Sequence, residues 1–226
     1  MVAEHRAPGE PTEDGPTLMW RRGDSWEVTQ GTREEPPSSA TQARIKGVVL
    51  TSRRDGVRAK YGMQGWRRLV ESLGPESQRV LRNPIRATGW YPLALNEELD
   101  WAICNTLEGG DRTVFRRLGA HSAEVLMAVT YAAAVAKQSP TAFLRGVILQ
   151  APRYFDGLRA AVDEPAAGHL ILRLSGIVSN EPNCESNLGF FVRGIELCGG
   201  RDVSGSELEC TVKGAGSDIY EFRFAR

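Results

Sequence analysis

The sequence predicts an α+β fold, a helical N-terminal half packed on an antiparallel sheet built from a β-β-α-β-β C-terminal unit. Three observations lead there. Apolar residues recur at helical spacing from Met63 to about Gln150. From Phe155 onward the apolar period drops to two, as in strands with one buried face. One further helical stripe, Cys184 to Cys198, then separates two pairs of strand-like segments. Helices grouped first and strands grouped last favour segregated layers over an alternating parallel sheet.

Residues 1–40 stand apart. They hold five of the twelve prolines and eight Asp/Glu against four Lys/Arg. Such a segment buries too little apolar surface to offset its ordering entropy, so it reads as a disordered acidic tail. Leu18 to Val28 is its one sticky stretch. The domain proper is assigned to residues 41–226.

Within it, the β-branched run Ile45 to Thr51 reads as a strand or buried segment. Met63 to Leu73 reads as a helix, with Trp66, Leu69, Val70 and Leu73 on one face and Gly74-Pro75 as its stop. A short helix follows from Pro75 to Leu81. Pro92 suits the first turn of the next helix, and Leu95, Leu99, Ile103 and Leu107 form its buried stripe. Trp90, just before it, is expected to be buried. Gly109-Gly110 end this helix, and Asp111 caps another that runs to Leu118.

Ala120 to Lys137 reads as one alanine-rich central helix with Val125, Val129 and Ala133 on its buried face. Ser139-Pro140 opens the last helix of this half. Phe155–Val162 and His169–Val178 are the first strand pair, with Leu170, Leu172 and Leu174 sharing a face. A helix from Cys184 to Leu197 ends at Gly199-Gly200. In the final hairpin, Leu208, Cys210 and Val212 are expected inward on one arm, and Tyr220, Phe222 and Phe224 on the other.

Composition excludes several classes. Lys+Arg and Asp+Glu balance at 28 each, so there is no basic footprint for nucleic acid. No apolar run has the length of a membrane span. The N-terminus lacks an apolar signal region, which points to the cytoplasm and to reduced Cys104, Cys184, Cys198 and Cys210. No dinucleotide, P-loop, nucleophile-elbow or zinc-protease motif occurs. Asp163 and Glu164 fall in a Pro/Gly turn, where a solvated role outweighs acid–base work. His121 is weighed as a hydrogen-bonded core histidine or as a pocket group that orients a small ligand.

Six stretches carry a resemblance. Asn183-Cys-Glu-Ser-Asn-Leu-Gly-Phe-Phe-Val-Arg-Gly194, Gly199-Gly-Arg-Asp-Val203 and Glu207-Leu-Glu-Cys210-Thr-Val-Lys-Gly214 resemble the C-terminal half of 4-vinyl-reductase-type domains. Tyr61-Gly-Met-Gln-Gly-Trp66 looks like the N-terminal part of heme–nitric-oxide-binding domains, which share that fold. Gly89-Trp-Tyr-Pro-Leu93 with Arg117-Leu-Gly119 is similar to a paralogous family of myxobacteria. The resemblance implies the ligand-binding fold of nitric-oxide signalling and Golgi-transport tethering, often dimeric and mostly not catalytic. Heme-binding relatives carry Tyr-x-Ser-x-Arg. Tyr154-Phe-Asp-Gly-Leu158 does not match it, so heme is disfavoured as a cofactor.

The resembling family also binds zinc through a cysteine, a Glu-x-x-Cys pair and one more cysteine. Here Cys184, twenty-two further residues, and then Glu207 and Cys210 follow that order, and Asp218 takes the last cysteine's place. All four are legitimate zinc ligands. Glu207 and Cys210 have opposite parity in a regular strand, so facing one ion requires a bulge. Buried cysteines on apolar faces also behave as small hydrophobes. A structural zinc and a metal-free vestige therefore both stand, and parity favours the vestige.

These readings converge on a non-enzymatic sensory or regulatory domain that binds a small hydrophobic ligand, as a homodimer. The alternative is a protein-interaction or scaffold module with no small molecule.

Overall fold

A computed structural model describes residues 43–225. The assigned acidic tail, including Leu18 to Val28, lies outside them. Strand β1 (Arg44–Lys46) leads directly into helix α1 (Gly47–Glu71). Of the run Ile45 to Thr51, expected as a strand or buried segment, only Ile45 and Lys46 lie in the strand. Ile45 is fully buried in it, and the remainder is helical because Leu50, Arg53 and Val57 lie on one buried face. Gly47 makes the junction: a Cβ there would lie 2.1 Å from the Arg86 carbonyl oxygen. Gly62, at φ 67° and ψ −174°, kinks α1 in mid-course, a conformation open mainly to glycine.

Helix α2 (Pro75–Leu81), strand β2 (Trp90–Pro92) and helix α3 (Leu93–Ala102) follow. β1 and β2 pair antiparallel. Trp90 is only half-buried, contrary to expectation, since it sits on this small two-stranded ribbon with the Lys46 ammonium 3.8 Å over its ring. α3 continues as a π-helical turn, Ile103–Leu107. The wider turn rotates Leu107 off the buried stripe of Leu95, Leu99 and Ile103.

The expected central helix is two helices. α4 (Val114–Met127) runs through Gly119, and α5 (Ala132–Ala136) is a separate short piece. The chain breaks so that Tyr131 turns inward, edge-on to Phe143 at 5.2 Å. The buried face of α4 is Gly119, Ala123 and Met127. Val125 and Val129 are 46% and 79% exposed, and Ala133 is exposed too, which corrects the assigned face.

Helix α6 (Pro140–Tyr154) starts where the Ser139 side chain accepts from the Ala142 N–H. Strands β3 (Arg159–Ala166) and β4 (His169–Ser175), helix α7 (Glu181–Leu197), and strands β5 (Arg201–Glu209) and β6 (Asp218–Ala225) complete the β-β-α-β-β unit. The sheet is antiparallel, in the order β3-β4-β6-β5. Leu170, Leu172 and Leu174 on β4, with Tyr220, Phe222 and Phe224 on β6, form its buried face under α7. β5 is an edge strand, so Leu208 is 54% exposed and Val212 beyond it 50% exposed; of the expected inward trio only Cys210 is buried.

Two apolar clusters result. One lies among α1, α3 and the start of α4, the other between α6, α7 and the sheet, and Phe155 and Ile177 touch both. α4 and α7 join the halves backbone to backbone. A Cβ at Gly119 would meet the Ser186 carbonyl oxygen at 1.8 Å, and one at Gly189 the Arg116 carbonyl oxygen at 2.1 Å. Among the described residues no helix is long and apolar enough to cross a membrane.

Candidate ligand cavity and cysteine cluster

Where the two clusters meet, α1, α4, α6 and α7 enclose a cavity of about 200 Å³. Its wall is largely apolar, including Val48, Leu126, Val147, Phe190 and Phe191. Its floor carries Arg53, 4% exposed, whose guanidinium is fully engaged. Nε donates to Asp100 Oδ1 at 2.8 Å, one terminal nitrogen to Ser122 Oγ at 2.8 Å, and the other to Ser186 Oγ at 2.7 Å. Asp100 is itself completely buried and also accepts from Asn96 Nδ2 at 3.0 Å. This network ties α1 to α3, α4 and α7 and leaves no spare donor for a ligand.

His121 is placed differently. It is half-buried on α4 and lines the cavity, and no described residue forms a hydrogen bond with its ring. The imidazole lies against bare Gly56, where a Cβ would sit 3.2 Å from Cδ2 and 3.4 Å from Nε2. On its far side a second hollow of about 400 Å³ opens, bordered by Lys60, Glu108 and Arg117. The imidazole therefore stands between two spaces with its hydrogen-bonding capacity unspent. Tyr131 and Tyr154 add phenols to the wall, and burial pushes the Tyr131 hydroxyl far above its ordinary range, so it stays a neutral donor. Tyr131, Asn187 and Ser186 were not singled out from the sequence. The break that turns Tyr131 inward has no local signature, and Ser186 and Asn187 read as ordinary polar positions on α7.

The cysteine cluster lies elsewhere, between α7 and the β5–β6 hairpin. One ligand atom from each of Cys184, Glu207, Cys210 and Asp218 lies within 4.8 Å of all the others. The two sulfurs are 3.5 Å apart. The β5–β6 register shifts between Glu207 and Glu209, from pairing with Tyr220 to pairing with Ile219, so parity is broken between Glu207 and Cys210. Asp218, 3% exposed, has Oδ1 held by the Thr211 N–H at 2.7 Å and the Thr211 hydroxyl at 2.8 Å. Glu207 Oε1 is buried without a hydrogen-bond partner among the described residues. Burial pushes the Cys184 thiol well above its ordinary range.

The architecture is that of heme–nitric-oxide-binding (H-NOX) domains. An H-NOX protein from S. oneidensis, solved in an Fe(II)NO ligation state, matches with a TM-score of 0.64 at 15% identity, over 80% of this chain and 100% of that one. An Fe(II) unliganded H-NOX protein from K. algicida matches at 0.60 and 13% identity, over 80% and 97%. A structure from work on heme distortion in the H-NOX family matches at 0.60 and 14%, over 80% and 96%. No protein-family model matches the chain, and no curated protein sequence does. These neighbours overturn the expectation that heme is disfavoured. The likeness extends over 80% of this chain, whereas the missing Tyr-x-Ser-x-Arg match is a single five-residue motif.

Proposed function

We propose that this chain is a sensory or regulatory domain, not a catalyst, and that it binds an apolar ligand in the cavity at His121. The carrying observation is that unpartnered imidazole in a largely apolar wall, next to an arginine whose donors are all engaged. The imidazole is half-buried, and a ligand seated in the cavity can meet a ring nitrogen that the fold leaves unused. Heme is the ligand class that the structural neighbours suggest.

The residue types would fit that group: His121 could bind its iron, and aromatic and aliphatic side chains could wall the macrocycle. The cavity's 200 Å³ is below the roughly 300–1,000 Å³ of common small-molecule sites, so binding a macrocycle requires α1 and α4 to move apart. Bound heme would supply an iron centre able to take a diatomic gas. The chain's own part is to orient the ligand through His121, keep water from it with Phe190 and Phe191, and pass its movement to the α4–α7 junction. Output then runs through a partner protein or a second copy of the chain. Incubating the full chain with hemin and recording its absorption spectrum tests this. A saturable spectral shift near one equivalent, altered in His121→Ala, is expected. Retention of no apolar molecule by the purified chain, together with no hemin uptake, would refute it.

A second reading concerns the cysteine cluster, which we propose to be a structural zinc site. Support comes from the four converging ligand atoms and from the buried, unpartnered Glu207 oxygen. The 3.5 Å sulfur separation is close to the edge of roughly 3.8 Å expected for a tetrahedron with Zn–S bonds of about 2.3 Å. Zinc held there would clamp α7 to the terminal hairpin and add stability. Elemental analysis of untagged protein should find about one equivalent of zinc, with a lowered Tm after chelation; below about a tenth of an equivalent the reading fails.

A further inference from the structure

A third concavity, of about 430 Å³, lies on another side of α1 and is built from different chemistry. The Gly62 kink divides α1 here: Arg54 and Arg58 come from before it, and Trp66 and Arg67 from after it. Leu81 to Ile85, at the end of α2 and beyond, form the opposite wall. The interior is apolar, from Trp66, Val70, Leu81 and Ile85, and the charged lining is four arginines against one carboxylate, Glu71. This matches a local imbalance: between Arg53 and Arg86 the chain has nine Lys/Arg against three Asp/Glu, although it is neutral overall.

The state of the four arginines distinguishes this hollow from an ordinary solvated basic face. Arg54 is neutralised by Asp55 at 2.8 Å. Arg82 donates to the neutral Gln78 side chain at 2.6 Å. Arg67 is exposed and has no ion pair among the described residues. Arg58 rests with its guanidinium carbon 5.7 Å over the Trp66 ring, and its Nε is buried with no hydrogen-bond partner among the described residues. Three guanidinium groups without a carboxylate thus face a pocket to which Glu71 returns one negative charge. The remaining excess of about two positive charges matches a phosphomonoester, which carries about −1.5 to −2 at pH 7. Guanidinium forks bind phosphate oxygens two at a time. The apolar floor calls for a body attached to that phosphate, and the volume suits a small organic molecule.

We propose that this pocket binds an organic phosphate, an apolar or aromatic body bearing one or more phosphate groups. Arg58 and Arg67 grip the phosphate and the Trp66–Ile85 floor receives the body. The site is separate from the His121 cavity and does not depend on its occupant. A soluble nucleotide and a lipid headgroup both present this chemistry, and the test separates them.

The full chain is titrated calorimetrically with ATP and with adenosine, and sedimented with phosphatidylcholine vesicles containing phosphatidic acid. Binding of ATP with a Kd below about 100 µM, and none of adenosine, is expected at low salt. Arg58→Gln and the exposed Arg67→Glu should each weaken it by about tenfold or more, with the Tm of Arg67→Glu unchanged. Vesicle binding that both substitutions abolish supports the same chemistry from a lipid source. Absence of binding to ATP at about 1 mM and to vesicles, or affinity unchanged in both variants, overturns the proposal.

Discussion

Arg53 and Arg58 lie five residues apart on α1 and meet opposite surroundings. Arg53 is in the interior, yet its donors are occupied by Asp100, Ser122, Ser186 and the Leu118 carbonyl. Arg58 is nearer the surface, yet its Nε is buried and unpartnered. Depth alone would have marked Arg53 as the functional group. Satisfaction reverses that judgement, since a fully bonded buried ion holds a fold together while an unmet one awaits a partner. The same contrast separates Arg53 from His121 in a single cavity.

The comparison can be broken in order of expected effect. Arg53→Met removes one member of a buried pair and strands Asp100, so it should cost about 3–5 kcal/mol of unfolding free energy, measured by denaturant titration. Gly119→Ala drives a Cβ into the Ser186 carbonyl and should cost about 1–3 kcal/mol by overpacking the α4–α7 crossing. Trp90→Ala, which a buried position would have placed beside Arg53→Met, should cost only about 1–2 kcal/mol, because its ring is half-exposed and gives up chiefly the Lys46 contact. Arg67→Gln should stay within about 0.5 kcal/mol of wild type, as an exposed side chain with no partner among the described residues. A large loss of stability there would show that the arginine pocket is itself part of the fold's scaffold.

Much of the fold is legible in the chain because local patterns and tertiary packing agree. The β4 leucines, the β6 aromatics and the α7 stripe each declare a face, and Pro and Gly mark their ends. Where they disagree, packing wins. Ala120 to Lys137 has the propensity of one helix, but burying Tyr131 breaks it in two. The run after Ile45 is β-branched, but its apolar face recurs with helical period once Leu50, Arg53 and Val57 are counted together. The cysteine cluster is legible as an ordered set of ligand types, while the bulge between Glu207 and Glu209 is not, because it arises from pairing across to β6. His121 shares a helix face with Val125, which is exposed, so helical spacing alone does not carry its place at the cavity, where it lies against Gly56. The arginine pocket is not legible in the sequence because its walls come from both sides of a kink that a lone glycine does not announce.

Ligand binding at His121 is tested most directly by native mass spectrometry of the full chain after incubation with hemin, run beside His121→Ala. One heme per chain is expected in the wild type, and loss of most of that adduct in the variant. An unloaded wild-type chain, or equal loading of the two proteins, would contradict it.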